Sequence, residues 1–328
     1  MSNQLPLSLL DFATIYDGER PGVSFARSVQ LAQKAEELGF ERVWYAEHHN
    51  MKSISSSSPA VLISHIGAHT KRIRLGAGGV MLPNHSPYTV AEQFGTLAEL
   101  YPGRIDLGLG RAPGTDQNTL GRALRRNPMA AESFPEDVVE LQKYLADESI
   151  IDGVRAIPGA GTNVPLYILG SSLFGAQLAA RLGLPYSFAS HFAPTHLEAA
   201  VSTYRENFQP RHDGDKPYVI AAVNVLAADT TEAALAAREQ VMRAWVRNVA
   251  SRDHYLNDEQ LDAVMDSYAG QQIQDMMRYT AVGTGPEVRD YLQKFAAHAQ
   301  ADELMISLRT PSFEQTLESL EILAANRP

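Results

Sequence analysis

The chain has 328 residues, of which 45% are hydrophobic and 20% charged, with a formal net charge of −10 and no cysteine. That length and composition suit one large soluble domain or two ordinary ones, either able to bury a full core. The negative charge argues against a nucleic-acid partner, which needs Lys and Arg to neutralise phosphates, and the missing cysteines exclude disulfides, thiolate nucleophiles and Cys-based metal sites.

The chain opens on MSNQLPLSLL, which lacks the basic segment and long apolar run of a signal peptide. No window approaches the ~20 apolar residues of a membrane span, so the expectation is a cytoplasmic protein without a membrane partner. A first strand is predicted over residues 7–12 and a helix over 24–38, with Gly39 at its C-cap. Next comes RVWYAEHHN at 42–50, where strand character over 43–47 runs into His48 and His49. Ser58 and Pro59 open a helix to about Lys71, with proline in the first turn. A glycine-broken strand follows over 73–82, then a helix from Ser86 and Pro87 to Leu100, and a strand over 103–110. A polar, arginine-rich segment precedes a helix over 132–147, and 149–163 reads as a small hairpin. The remaining strands are placed at 164–170, 185–192, 218–227 and 303–309, with helices at 173–182, 194–208, 230–249, 287–298 and 313–325. Residues 253–280 are polar and irregular in pattern, as broken helices are.

Eight strands alternating with helices predict a parallel sheet closed as a (β/α)8 TIM barrel. A doubly wound sheet is the alternative, but no linker or composition break interrupts residues 1–328, which favours one barrel domain. The chain exceeds the ~250 residues typical of the fold. Insertions are therefore expected at about 115–130, 149–163 and 252–282.

In such a barrel the chemistry lies at the carboxyl ends of the strands. There the strands deliver Glu47, His48 and His49, then Gly78, Gly79 and His85, then Gly108, Gly110 and Arg111. Gly170, Ser171 and Ser172 follow, then Ser190 and His191, and finally Arg309. Adjacent strand residues point to opposite faces, so His48 and His49 do not readily share a metal. His65 and His69 have helical i, i+4 spacing but no third ligand nearby, and no metal is expected. Glycine weakens a strand, so Gly76, Gly78 and Gly79 imply either a bulge or a flat ligand against bare backbone. GLGRAPG at 108–114 lacks the spacing and the following acidic residue of a dinucleotide fold, and no GxxxxGK[ST] motif occurs. Gly170, Ser171 and Ser172 lead straight into a helix. They form either a plain serine N-cap or, with Arg111 beside them, an anion cradle. Arg309 reads as a rim salt-bridge residue, while His85 and His191 stay open between pocket and structure.

AEHHN, GAGGVMLPNHSPYTVAEQFGTLAELYPGRIDLGLGRAPG and LGSSLFGAQLAARLGLPYSFASHF together resemble the bacterial-luciferase-like flavin-dependent monooxygenases. The likeness runs from Leu5 to about Phe208 and resumes at VGTGPEV, residues 282–288, and at the last strand, residues 303–309. It implies a luciferase-like TIM barrel taking FMN, reduced by a separate flavin reductase, with molecular oxygen and a small organic substrate. It implies a cis peptide at Gly78-Gly79 against the flavin ring and a cofactor site that also includes Gly110, Arg111, Gly170, Ser171 and Ser172. Within that site the phosphate falls to Arg111, Ser172 and the helix start. His48 is implied as acid/base, with His49 in support. Gly110 stands where the luciferase α-subunit carries a reactive cysteine, and Ser171 where the luciferase pattern has glutamate, which argues against light emission from a long-chain aldehyde. Some relatives take a deazaflavin, and a non-catalytic flavin-binding protein of the same fold is the other reading. The resemblance further implies a homodimer through helices 59–70 and 87–100, and a mobile loop at 252–282 closing over the site.

Overall fold

Strand side chains alternate between two faces, and in this barrel that alternation builds three interior layers. The computed structural model describes residues 4–251 and 256–328. Its strands are β1 (Leu7–Asp11), β2 (Arg42–Tyr45), β3 (Arg74–Met81), β4 (Ile105–Gly110), β5 (Leu166–Gly170), β6 (Tyr186–Phe188), β7 (Val219–Ala227), β8 (Thr280–Gly283) and β9 (Glu303–Leu308). β1 to β7 pair in sequence, β7 pairs β9, and β9 returns to β1, all parallel, so eight strands close a TIM barrel.

β8 was not among the predicted strands. It pairs with residues 224–227 of β7, whereas β6 pairs with residues 219–221 on the same edge. β6 is short because the chain coils after Phe188: the Ser190 N–H donates to the Phe188 carbonyl and the Ala193 N–H to that of Ala189. The upper edge of β7 would otherwise carry unpaired backbone groups, and β8 takes it. The expected hairpin at 149–163 is also absent. That segment is a run of turns whose Gly161 and Asn163 N–H groups donate to the Leu145 carbonyl.

The helices are α1 (Pro21–Glu37), α2 (Pro59–Gly67), α3 (Pro87–Leu100), α4 (Phe134–Leu145), α5 (Leu173–Leu182), α6 (Leu197–Glu206), α7 (Thr231–Ser251), α8 (Asp258–Asp266), α9 (Tyr268–Asp275), α10 (Gly285–His298) and α11 (Phe313–Ala325). Proline stands in the first turn of α1 to α4 and of α10, where its missing N–H has no intrahelical partner to lose. Outward strand residues such as Leu9, Val43, Leu75, Leu107 and Ile168 form the main core with these helices. α8 and α9 pack on α7 through Leu261, Met242 and Val246, and the Trp245 indole donates to the Ile273 carbonyl. The remainder of the segment expected to act as a mobile loop, residues 252–255, lies outside the described residues.

Inside the barrel, the floor is ionic. Arg42 donates to both Glu303 oxygens at 2.9 and 3.1 Å and to Asp106 at 2.7 Å, and Arg74 also pairs with Asp106. Tyr167 and Tyr218 complete that layer. The middle layer is apolar, with Leu10, Trp44, Ile220, Ala222 and Met305. It accounts for part of the glycine-broken strand, because a Cβ at Gly76 would lie 2.7 Å from the Trp44 indole. Tryptophan, not a ligand, fills that space. Beyond it the register shifts between Ala77 and Val80 around the cis Gly78-Gly79 peptide, so the strand also bulges.

Candidate active site

The third layer is the mouth. His48 lies just beyond β2, its backbone N–H given to the Ser56 carbonyl at 3.1 Å, so β2 ends earlier than the apolar run suggested. Its Nδ1 is buried without a partner among the described residues. The Phe12 ring stands 5.9 Å from the His48 ring and 6.2 Å from that of His191. Burial, reinforced by the charge of Arg309, lowers the His48 pKa below its ordinary 6.5, and the same two causes bring His191 down to about 3. Both imidazoles are therefore neutral at physiological pH.

His49 does not support His48. It turns to the other side, where its Nε2 bonds Glu47 Oε1 at 2.9 Å, and His85 Nε2 bonds the same oxygen at 2.8 Å. The Met81 N–H donates to the second carboxylate oxygen at 2.9 Å. The His49 N–H goes to the Gly114 carbonyl, and Asn84 donates to that of Pro113, so this cluster ties β2 and β3 to the loop that carries Arg111. Burial alone would raise the Glu47 pKa, but the donors outweigh it and bring it down to about 2. A depressed carboxylate stabilises the fold above its ordinary pKa and loses that contribution as pH falls through the folded value, here of order 3 kcal/mol. Wild-type melting temperature should therefore fall more steeply than that of Glu47→Gln between about pH 5 and 2. Parallel curves would show that Glu47 contributes nothing through its charge.

Across the mouth, Arg111 follows β4 and is exposed. Its guanidinium carbon sits 4.0 Å from the Phe174 ring centroid, in the first turn of α5. Ser172 is the N-cap of α5, yet its hydroxyl makes no capping hydrogen bond. The Tyr186 hydroxyl holds the Ser172 carbonyl at 3.1 Å. The first-turn N–H groups of α5, the serine hydroxyl and the arginine thus converge with no carboxylate paired to that arginine among the described residues. This donor set fits a phosphate. Ser171 and Gly170 lead into it half-buried, and a Cβ on Gly170 would meet nothing closer than 3.5 Å. Gly79 and Gly110 are tighter, since added Cβ atoms would lie 2.7 Å from the Gly108 carbonyl oxygen and 2.9 Å from Met81 Sδ.

Arg309 is not a rim salt bridge. It is half-buried over Phe12 and Trp245, with its Nε reaching Asn224 Oδ1 at 3.4 Å. Asn224 in turn donates to the His191 carbonyl at 2.6 Å. Phe12, Asn224 and Arg309 were missed as one wall, although alternation along 8, 10, 12, along 220, 222, 224 and along 303, 305, 307, 309 places them inward. Among the described residues, no three His, Asp or Glu side chains gather as metal ligands.

The TIM barrel thus carries donors that fit an anion after its fourth and fifth strands and, after its second, an imidazole whose buried Nδ1 has no partner among the described residues. The sequence matches the luciferase-like monooxygenase family over residues 7–302. It is 43% identical over 324 residues to a luciferase-like monooxygenase of Escherichia coli (strain K12), covering 97% of this chain and 96% of that one. Among solved structures it superposes on apo-MsnO8 with a TM-score of 0.86 at 34% identity, over 98% of each chain. The oxygenating constituent of 3,6-diketocamphane monooxygenase from Pseudomonas putida, solved in complex with FMN, shares the fold with a TM-score of 0.76 at 15% identity, over 98% of this chain and 97% of that one. The chain belongs to the luciferase-like monooxygenase family.

Proposed function

We propose that this protein is a flavin-dependent monooxygenase that uses reduced FMN and molecular oxygen to oxidise a small organic substrate, with the reduced flavin supplied by a separate reductase. The observation that carries this reading is the unused phosphate-type donor set at Arg111, Ser172 and the start of α5, sharing one mouth with the orphaned Nδ1 of His48. Bound reduced FMN would supply the electrons that activate oxygen. Arg111 and the α5 N–H groups hold the phosphate, with Gly110, Gly170 and Ser171 shaping its approach. Gly78 and Gly79, which pack without side chains against Trp44, Leu10 and the Gly108 carbonyl, carry the cis backbone against which a flat ring would lie. His48 exchanges a proton at Nδ1, and Phe12 with Trp245 limits the access of water.

FMN binding, followed by quenching of its fluorescence, tests this. Arg111→Ala should weaken FMN by about 10- to 100-fold, the range of a lost charge-assisted contact, and leave riboflavin unchanged. Equal loss for both flavins, or no flavin binding by the wild type, would overturn the phosphate assignment. Oxygen consumption with a reductase and NADH then separates an enzyme from a flavin-binding protein.

We further propose a cytoplasmic homodimer. Val61 on α2 and Leu100 at the end of α3 are 72% and 56% exposed, which leaves apolar surface on those helices. No helix among the described residues is long and apolar enough to cross a membrane.

A further inference from the structure

Arg309 enters the reading above only through its charge on His48 and His191. It continues the inward positions of β9, beyond Glu303, Met305 and Ser307. The other two inward-facing arginines, Arg42 and Arg74, each hold carboxylates. Arg309 has none within ion-pair distance among the described residues. What faces it is neutral: the Phe12 ring at 4.9 Å, the Trp245 ring at 5.4 Å, the Asn224 amide, and the two uncharged imidazoles of His48 and His191. Burial brings its pKa down to about 10, which still leaves it charged at neutral pH. Asn224 and Ser307 are fully buried and His191 is 4% exposed, and Ser307 Oγ and His191 Nδ1 lack partners among the described residues. A half-buried cation among neutral groups lacks the anion that would offset its desolvation.

That anion is not the phosphate placed at Arg111. In the ring of strands, β4 and β9 stand four positions apart in either direction, so Arg111 and Arg309 occupy opposite sides of the mouth. We propose that Arg309 is a specificity-determining residue that anchors a carboxylate on the organic substrate, which makes the substrate an organic acid with an apolar, oxidisable body. The guanidinium fork matches a carboxylate bidentately. Phe12 and Trp245 give the apolar body a wall, with His48 beside it. The proposal rests on the reading of this mouth as the substrate site.

The test compares 3-phenylpropionate with 3-phenylpropanamide by titration calorimetry on the flavin-free protein. Wild type should bind the acid about tenfold or more tightly than the amide, as a charge-assisted bidentate contact gives. Arg309→Gln should bring the acid to the level of the amide, Arg309→Lys should keep part of the preference, and FMN affinity should stay within about twofold of wild type. Circular dichroism confirms that each variant is folded, and the lysine variant supplies the same comparison where glutamine destabilises. Equal or absent binding of the acid by wild type, or equal loss of acid and amide in Arg309→Gln, would overturn the assignment. So would a loss of FMN alone, which would give the arginine to the flavin. Because the acid–amide difference needs no flavin, absent FMN binding would sink the flavin reading without touching this comparison.

Discussion

Arg42→Met should lower the unfolding free energy by about 3–5 kcal/mol, the range for breaking a buried ion pair by removing one partner. Arg42 is 5% exposed at the barrel floor, and its guanidinium bridges Glu303, Asp106 and the Tyr167 hydroxyl. Burial opposes its charge, but Glu303 and Asp106 outweigh that and raise its pKa. Methionine fills similar volume and leaves Glu303, among the described residues, with the Ser8 and Tyr218 hydroxyls at 2.5 and 2.8 Å. Asp106 fares better, because Arg74 and the Trp44 indole still reach it. Since domains are stable by only about 5–15 kcal/mol, the loss is a large fraction of the total. Urea unfolding reads it directly, and a loss below about 1 kcal/mol would mean that the network contributes no more than an exposed pair. The floor is separated from the mouth by the Leu10, Trp44 and Met305 layer, so FMN affinity measured below the unfolding transition should not change.

His48→Ala should lower turnover by about 10²- to 10⁴-fold, the range for loss of a positioned acid or base, with FMN affinity nearly intact. The imidazole is neutral because burial and Arg309 lower its pKa. A rate that needs neutral His48 should therefore persist below pH 6.5 and fall only at more acid pH. In His48→Ala that acid limb should disappear along with most of the rate. Unchanged turnover in a reductase-coupled assay would remove His48 from the chemistry, whereas lost FMN binding would make it a cofactor contact.

The parts legible in the sequence were those set by local periodicity. Strands and helices follow apolar spacing and proline or glycine punctuation over windows of ten or so residues, so α5 and α11 fall where their patterns placed them. The strand ends carrying His48, Arg111 and Ser172 were legible for the same reason, because a parallel barrel collects strand termini at one mouth. β8 was illegible because nothing within its four residues announces it. It forms because β6 stops short and leaves one edge of β7 open.

The adjacent histidines divide along the same line. The sequence by itself determined that the two follow an inward-and-outward strand, and the expectation from alternation that His48 and His49 point apart holds although β2 ends at Tyr45. Only the tertiary structure decided that His49 and His85 share Glu47 while His48 joins Phe12, His191 and Arg309. Arg42 meets Glu303 across 261 positions of sequence, and Arg309 overlies Phe12 from the far end of the chain. Which inward side chain finds a countercharge, and which is left without one, is settled by closure of the ring, and no local pattern encodes it.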